Sequence, residues 1–227
     1  MISYRIAGFG WVSSYGFGRG LCCGFEGFGP GQLPQLQRQD LFDKPDRRFG
    51  RMDPFSRLGL AGITLALQDA AMDQWQEKRP IAILAETYSG CLETDCDYFT
   101  TVIPEQGALA SPQLFAYTLS NTFLGEAALR FGLTGCCEVV NSCRCDGLAV
   151  MDNALDLLDS GEAEAVVVGF CDLDDCGVLQ APGSLFLVVD KKDHAAGLAL
   201  TSETTGALRL AGQPLDCAMD LVAQLTR

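Results

Sequence analysis

Short apolar runs recur along the chain and predict the strands of a sheet. Residues 2–8 alternate apolar and polar positions and then meet glycines, which is typical of a strand that leads into a turn. Further strands are predicted at 81–85, 137–141, 163–170 and 184–189. The run at 163–170 is apolar almost throughout, which indicates a strand that is buried on both faces of a sheet.

Segments with helical period lie between these strands. Asp53 followed by Pro54 predicts a helix start, with Asp as the N-cap and Pro at the first helical position, and this helix is expected to end near 72–76. Further helices are predicted at 93–101, at 111–130 with one break, at 146–160 and at 215–226. The segment 9–50 is rich in glycine, proline and aromatic residues, so it is expected to be a long irregular excursion.

Strands that alternate with helices predict a single α/β domain over residues 1–227, with helices on both faces of a mixed sheet. The connection 171–183 is short and carries no helix, so the two strands that it joins are expected to be antiparallel. Residues 198–227 are expected to form a C-terminal extension with one helix.

The charge of the chain narrows the classes of partner. The 227 residues carry a formal net charge of −13, which argues against nucleic acid and against an anionic membrane surface, because both need a basic patch. The N-terminus lacks the basic and apolar regions of a signal peptide, and no apolar run is long enough to cross a bilayer. We therefore expect a cytoplasmic protein.

The chain has 11 cysteines and one histidine. No CxxC pair is present, so we expect no metal site, and the thiols are interpreted as small buried hydrophobic residues. The glycines at 16–31 fit neither a P-loop nor a dinucleotide fingerprint, so we expect no cofactor. Three acidic residues after a strand, Asp172, Asp174 and Asp175, are interpreted as a solvated turn, with a cation site as the alternative.

The segment 139–147, VVNSCRCDG, predicts a strand that runs through a tight turn directly into a helix. A side chain in such a turn lies at a helix N-terminus, where free N–H groups and the helix dipole stabilise negative charge. A thiol in this position would have a lowered pKa and would act as a nucleophile.

Five segments resemble the β-ketoacyl synthases, the condensing enzymes of the thiolase superfamily, in the order of that family. They are YRIAGFGWVS at 4–13, RMDPFSRLGL at 51–60, LSNTFLGEAALRFGLTG at 119–135, NSCRCDG and the following LAVMDNALDLLDSGEAEAVVVGF at 141–170, and LFLVVDKKDHA at 185–195. The resemblance covers about residues 1–197. It implies the N-terminal half of the thiolase-like fold, with five strands that lie in the order 3-2-1-4-5 when they are numbered along the chain. The strand at 137–141 is then at an edge.

This chain departs from the family at the nucleophile. Alignment on Gly147 and on the SG of residues 160–161 puts Arg144 where the family has its acyl-accepting cysteine. A guanidinium stays protonated and cannot accept an acyl group. A slip of one residue would instead make Cys143 or Cys145 the nucleophile, and packing behind the turn is the simpler role for both thiols.

The charge of Arg144 at a helix N-terminus has to be offset, and Asp146 and Glu126 are the candidate carboxylates. The decarboxylating histidine pair of the family belongs to the second half of its fold. The histidine of this chain, His194, falls instead in a stretch that is an exposed helix start in the family. No catalytic dyad is assembled from these residues.

The resemblance therefore implies a non-catalytic subunit like a chain length factor, in a ketosynthase complex of polyketide, polyene or fatty-acid-type biosynthesis. The alternatives are an acyl-transfer or condensing enzyme that uses Cys143 or Cys145, and a stand-alone module that binds an acyl chain or an acyl carrier. The implied partner is a second copy or a ketosynthase, with acyl carrier protein reached through that partner.

The resemblance also implies which residues form the acyl pocket and the interface. The edge strand that contains Val139 and Val140 is expected to pair with its twin across a two-fold axis. Four side chains in the segment 111–122 are expected to reach the acyl cavity of the neighbour, with packing inside their own domain as the alternative for at least half of them: Leu114, Phe115, Tyr117 and Leu119.

Overall fold

A computed structural model describes residues 2–20, 24–44, 46–104, 106–141, 147–191, 198–203 and 207–226. The fold class is α/β, as the sequence predicts. The strands are β1 Ile2–Ser13, β2 Gly16–Arg19, β3 Ile81–Thr87, β4 Cys137–Asn141, β5 Ala165–Asp172, β6 Gly183–Asp190, β7 Leu198–Ser202, β8 Leu208–Leu210 and β9 Gln213–Leu215. The α-helices are α1 Arg38–Leu41, α2 Pro54–Asp69, α3 Leu92–Val102, α4 Pro112–Phe115, α5 Thr122–Phe131, α6 Leu148–Ser160 and α7 Ala218–Leu225.

The described strands form one mixed sheet of nine strands in the order β4-β3-β5-β6-β1-β7-β8-β9, with β2 paired to β1. Strands β4, β3 and β5 are parallel, and β6 is antiparallel to β5, as its short connection predicts. The predicted count of five strands and the predicted order 3-2-1-4-5 are wrong. The first strand lies beyond β6, not between β3 and β5, because β3 and β5 pair directly with each other.

Strand β1 is held in this position by long antiparallel ladders with β6 and β7. Arg5 donates two hydrogen bonds to Asp190 of β6, at 3.0 and 2.5 Å, and the carboxylate is completely buried. A side chain on Gly8 would bring its Cβ to 2.5 Å from the backbone nitrogen of Ala70, so the glycine lets α2 approach the strand. These contacts join residues far apart in the sequence.

Helix α2 covers one face of the sheet. Its N-cap Asp53 accepts a hydrogen bond from the Ser56 amide at 3.2 Å, and Pro54 is the first helical residue, as the sequence predicts. Most of its side chains are buried, because the sheet packs against one side of the helix and Phe123 of α5 packs against another. The helix ends at Asp69, earlier than predicted.

Helices α6 and α7 cover the opposite face of the sheet. The apolar side of α6 packs on β3 and β5, and its outer side carries the exposed residues Asp152, Asp156 and Asp159. Helix α7 adds Leu221, Val222 and Leu225 to the same core. The core therefore consists of two layers, one on each face of a sheet that is buried on both sides.

The predicted irregular excursion at 9–50 is partly ordered. Strand β1 continues to Ser13 and forms a hairpin with β2. The short helix α1 and a 3-10 turn at Phe49–Arg51 follow before α2. The sequence signal failed here because β2 is glycine-rich and has no apolar alternation.

Candidate functional site

Strand β4 and helix α6 flank the segment 142–146, in which the family resemblance places the nucleophile. Gly147 is the N-cap of α6 and has φ of 66°, in the left-handed region. A Cβ on this residue would lie 2.6 Å from Val178, 2.8 Å from Ala218 and 2.9 Å from Phe170, so only glycine fits between these side chains. The predicted site residues Cys143, Arg144 and Cys145 and the counterion candidate Asp146 lie outside the described residues, as does His194.

A buried carboxylate lies beside the end of β4. Glu86, near the carboxyl end of β3, is only 1% exposed and is in register with Val140 of β4 and Phe170 of β5. Sequence analysis did not select it. The available signal was an acidic residue at the end of the apolar run IAILAE, where a strand buried on both faces has no place for an unbalanced charge.

The other candidate counterion, Glu126, already has a partner. Its carboxylate accepts a hydrogen bond from the Arg48 guanidinium at 2.9 Å, on the face of α5 that looks towards residues 46–48.

Asp172 is a second buried carboxylate at the carboxyl ends of the parallel strands, and the prediction of a solvated turn is wrong for it. It accepts hydrogen bonds from the Thr87 hydroxyl at 2.7 Å and from the amides of Tyr88 and Ser89 at 2.9 and 3.1 Å. Burial raises the pKa of Asp172, and the hydrogen bonds oppose this shift. Asp172 therefore holds the turn after β3 against the end of β5.

The neighbouring acidic residues are different. Asp174 is half-buried and accepts a hydrogen bond from the Ser89 hydroxyl, whereas Asp175 is exposed. In the part of the chain that the structure describes, no group of three His, Cys, Asp or Glu side chains is arranged to hold a metal ion.

The described thiols do not form one class. Cys91 and Cys171 are buried, as the sequence interpretation requires, but Cys96, Cys136 and Cys176 are exposed, which corrects that interpretation. Burial raises the pKa values of Cys91, Cys137 and Cys171, so these thiols stay protonated at neutral pH and are poor nucleophiles.

Strand β4 forms an edge of the sheet, since among the described strands it pairs only with β3. Val139 and Val140 are half-buried there. Of the predicted pocket residues, Phe115 and Leu119 are exposed, Leu114 is half-buried and Tyr117 is buried within its own domain. The structure thus leaves two of these four side chains free for a neighbour.

Helix α3 carries further exposed apolar side chains that sequence analysis did not select. Leu92, Cys96, Phe99 and Ile103 are spaced by four, three and four residues, which puts them on one face of the helix. Phe99 and Ile103 are each 61% exposed. The ring of Phe115 lies 5.5 Å from that of Tyr98 on α3, so α4 packs beside α3. We call Leu92, Phe99, Ile103, Phe115 and Leu119 the apolar surface.

A family model, the N-terminal domain of β-ketoacyl synthases, matches residues 32–176. The chain belongs to the β-ketoacyl synthase family. This β-ketoacyl synthase homologue has no significant sequence match among curated proteins. Within the part of the homologue that the structure describes, every helix is too short or too polar to cross a membrane.

Solved structures of the family share its fold. The ishigamide ketosynthase/chain length factor matches with a TM-score of 0.66 and 18% identity, over 88% of this chain and 66% of that chain. A β-ketoacyl synthase from Burkholderia phymatum STM815 matches with a TM-score of 0.65 and 15% identity, over 89% of this chain and 64% of that chain. The ketosynthase ApeO in complex with its chain length factor ApeC from Xenorhabdus doucetiae matches with a TM-score of 0.51 and 19% identity, over 76% of this chain and 68% of that chain.

These likenesses establish the thiolase-like fold of the homologue. Its chain spans about two thirds of the length of the structures that it matches, 66% of the first of them. The region shared with the family model ends just after β5, so it includes the turn between β4 and α6.

Proposed function

We propose that this chain is a non-catalytic subunit, similar to a chain length factor, of a ketosynthase complex that builds a polyketide, polyene or fatty-acid-type chain. The observation that carries the proposal is Arg144, which the family motif aligns with the acyl-accepting cysteine. Its guanidinium offers no lone pair to an acyl thioester and stays protonated. The segment that contains Arg144 is flanked by strand β4 and helix α6, the two elements that the motif requires on either side.

Glu86 supports this role of Arg144. A carboxylate that is 1% exposed at the end of β3 is stable only when a cation or several hydrogen-bond donors compensate its charge. Arg144 follows the last residue of β4 by three positions in the sequence, and the last residues of β4 are in register with Glu86 and Thr87. We infer that Glu86 joins Asp146 as a carboxylate that can offset the arginine, whereas Glu126 pairs with Arg48.

The proposed partner is a ketosynthase or a second copy of this chain. The edge strand β4 and the apolar surface support this assignment, because exposed apolar patches and unpaired strand edges mark interfaces. Two of the matched structures contain a ketosynthase together with a chain length factor. Acyl carrier proteins are typically acidic, so a subunit with a charge of −13 would leave their docking to the partner.

The test is acyl transfer to the purified chain. After incubation with acyl-CoA or acyl-loaded carrier protein, intact mass spectrometry is expected to show no covalent acyl group. The variant in which Cys143 and Cys145 are both changed to Ala provides the matched control. An acyl adduct on the wild type that this variant lacks would establish the enzymatic alternative. Capture of a ketosynthase from the native cytosol separates a subunit from a stand-alone acyl-binding module, which would capture none.

A further inference from the structure

A cavity of about 400 Å³ opens between the N-terminus of α2, the segment 33–37 and the residue after β5. Its walls are mainly apolar and include Val12, Leu33, Leu36, Leu58 and Leu173. It lies on the α2 side of the sheet, whereas α6, the helix that follows segment 142–146 in the sequence, packs on the opposite face. The cavity is therefore separate from the site that the family motif defines.

One cation lies in this apolar wall. Arg57 is half-buried, and its Nε is fully buried without a hydrogen-bond partner among the described residues. No described carboxylate forms an ion pair with it, although the chain carries 29 acidic residues. A guanidinium in an apolar wall that has no carboxylate partner can pair with the carboxylate of a ligand.

We propose that this cavity binds a free carboxylic acid with an apolar tail, with Arg57 pairing with its carboxylate. The planar guanidinium matches a carboxylate with two parallel hydrogen bonds, which its two terminal Nη groups can donate. The leucines and prolines of the wall would bury the hydrocarbon tail. The volume falls within the range of small-molecule sites, about 300–1,000 Å³.

The acidity of the rest of the chain restricts where an anion can bind. At a net charge of −13, an anion is repelled by most of the surface, and an unpaired guanidinium in an apolar wall is a favourable exception. A neutral tail without the carboxylate would gain only apolar burial. The carboxylate is therefore expected to dominate the affinity.

The experiment is isothermal titration of the full chain with decanoate below its micelle concentration, with decanol and acetate as separate probes of tail and head group. We expect saturable binding of decanoate at one site and weaker binding of the other two. Arg57→Gln is expected to weaken decanoate binding roughly tenfold or more and to leave decanol unchanged. Arg57→Lys keeps the charge but loses the two parallel hydrogen-bond donors, so its affinity for decanoate should lie between those of wild type and Arg57→Gln.

Two variants complete the design. Arg51→Gln removes an exposed arginine near the same helix start and is expected to leave the affinity for decanoate unchanged. Leu36→Trp fills the cavity and should abolish binding of both decanoate and decanol. Absence of saturable decanoate binding, or an equal loss in Arg51→Gln, would overturn the proposal. Tighter binding of a peptide through its C-terminal carboxylate would replace the acid by a protein segment as the occupant. None of these results depends on Arg144, so they leave the proposed subunit role untouched.

Discussion

Buried carboxylates are the residues that most distinguish this acidic chain. Glu86, Asp172 and Asp190 are at most 2% exposed, and all three lie at the ends of strands in the middle of the sheet. Asp190 is balanced by Arg5, and Asp172 by a hydroxyl and two amides. Such groups are stable only with these partners, so a single substitution tests each arrangement.

The first prediction concerns Asp172. Asp172→Ala should destabilise the fold by about 3 kcal/mol, because it leaves the Thr87 hydroxyl and two amides without their acceptor. Asp172→Asn should cost less than about 1 kcal/mol, since the side-chain oxygen that accepts most of these bonds is kept. Urea unfolding at pH 7 measures both values. Asp175→Asn, an exposed change in the same turn, is the control and should stay within about 0.5 kcal/mol of wild type.

The difference in stability between wild type and Asp172→Asn has a defined dependence on pH. Burial raises the pKa of Asp172, so the folded state holds its proton to a higher pH than the unfolded state does. This contribution to stability is complete below the unfolded-state pKa of about 3.9 and is lost as the pH rises through the folded-state value. Asp172→Asn should therefore gain stability relative to wild type as the pH rises above about 4. A relative loss over that range would mean that the charge itself stabilises the fold.

At the scale of elements, α6 depends on one residue at its start. Gly147 combines a left-handed backbone conformation with close contact to the side chains of Val178, Ala218 and Phe170, from three different parts of the chain. Helix α6 therefore starts where β5, the segment after it and α7 meet. Gly161 at the other end of α6 has a similar φ of 75° but open space around its missing Cβ.

The second prediction uses these two glycines. Gly161→Ala should cost about 1 kcal/mol, which is the cost of a left-handed conformation alone. Gly147→Ala should cost about 3 kcal/mol, because overpacking adds to the same conformational cost. Thermal and urea unfolding of both variants measure the difference. Equal losses of unfolding free energy in the two variants would show that the side chains around Gly147 accommodate the added methyl group at no further cost.

At the scale of the whole molecule, the sheet ends in an edge strand, and helices α3 and α4 expose an apolar surface. Pairing of β4 with another strand would satisfy its outer backbone groups and would cover Val140. The apolar surface would be covered at the same time if it adjoins the same interface. A monomer of this kind would expose both features to water, which is a liability for aggregation.

The third prediction is that the chain forms a dimer, with itself or with a ketosynthase. In light scattering after size exclusion, Val140→Lys should weaken a homodimer at least tenfold or so, since a two-fold axis brings each lysine near its twin. Phe17→Lys, an exposed change on β2 at a distance of several strands from β4, should leave the assembly intact. A wild type that stays monomeric at high concentration and captures no ketosynthase would refute the prediction.

Much of the fold was determined by the sequence alone. The apolar runs located β3 to β6, the strand Cys137–Asn141 was predicted with its observed bounds, and Asp53 with Pro54 marked the start of α2. These signals are local: they depend on the burial of a few consecutive side chains and on one cap. The five ordered motifs identified the family for the same reason, since each is a short stretch with a fixed role.

Only the tertiary structure decided the rest. The position of β1 depends on ladders with β6 and β7, which lie almost two hundred residues further along the chain, and no local pattern encodes that pairing. In the sequence, Asp172 resembles any acidic turn residue, and only the structure brings the Thr87 hydroxyl of another strand within hydrogen-bond distance of it. The face of α3 with Phe99 and Ile103 has the spacing of a core helix, and only the completed packing leaves it exposed. Burial belongs to the assembled chain, because each of these environments is made by residues that are distant in sequence.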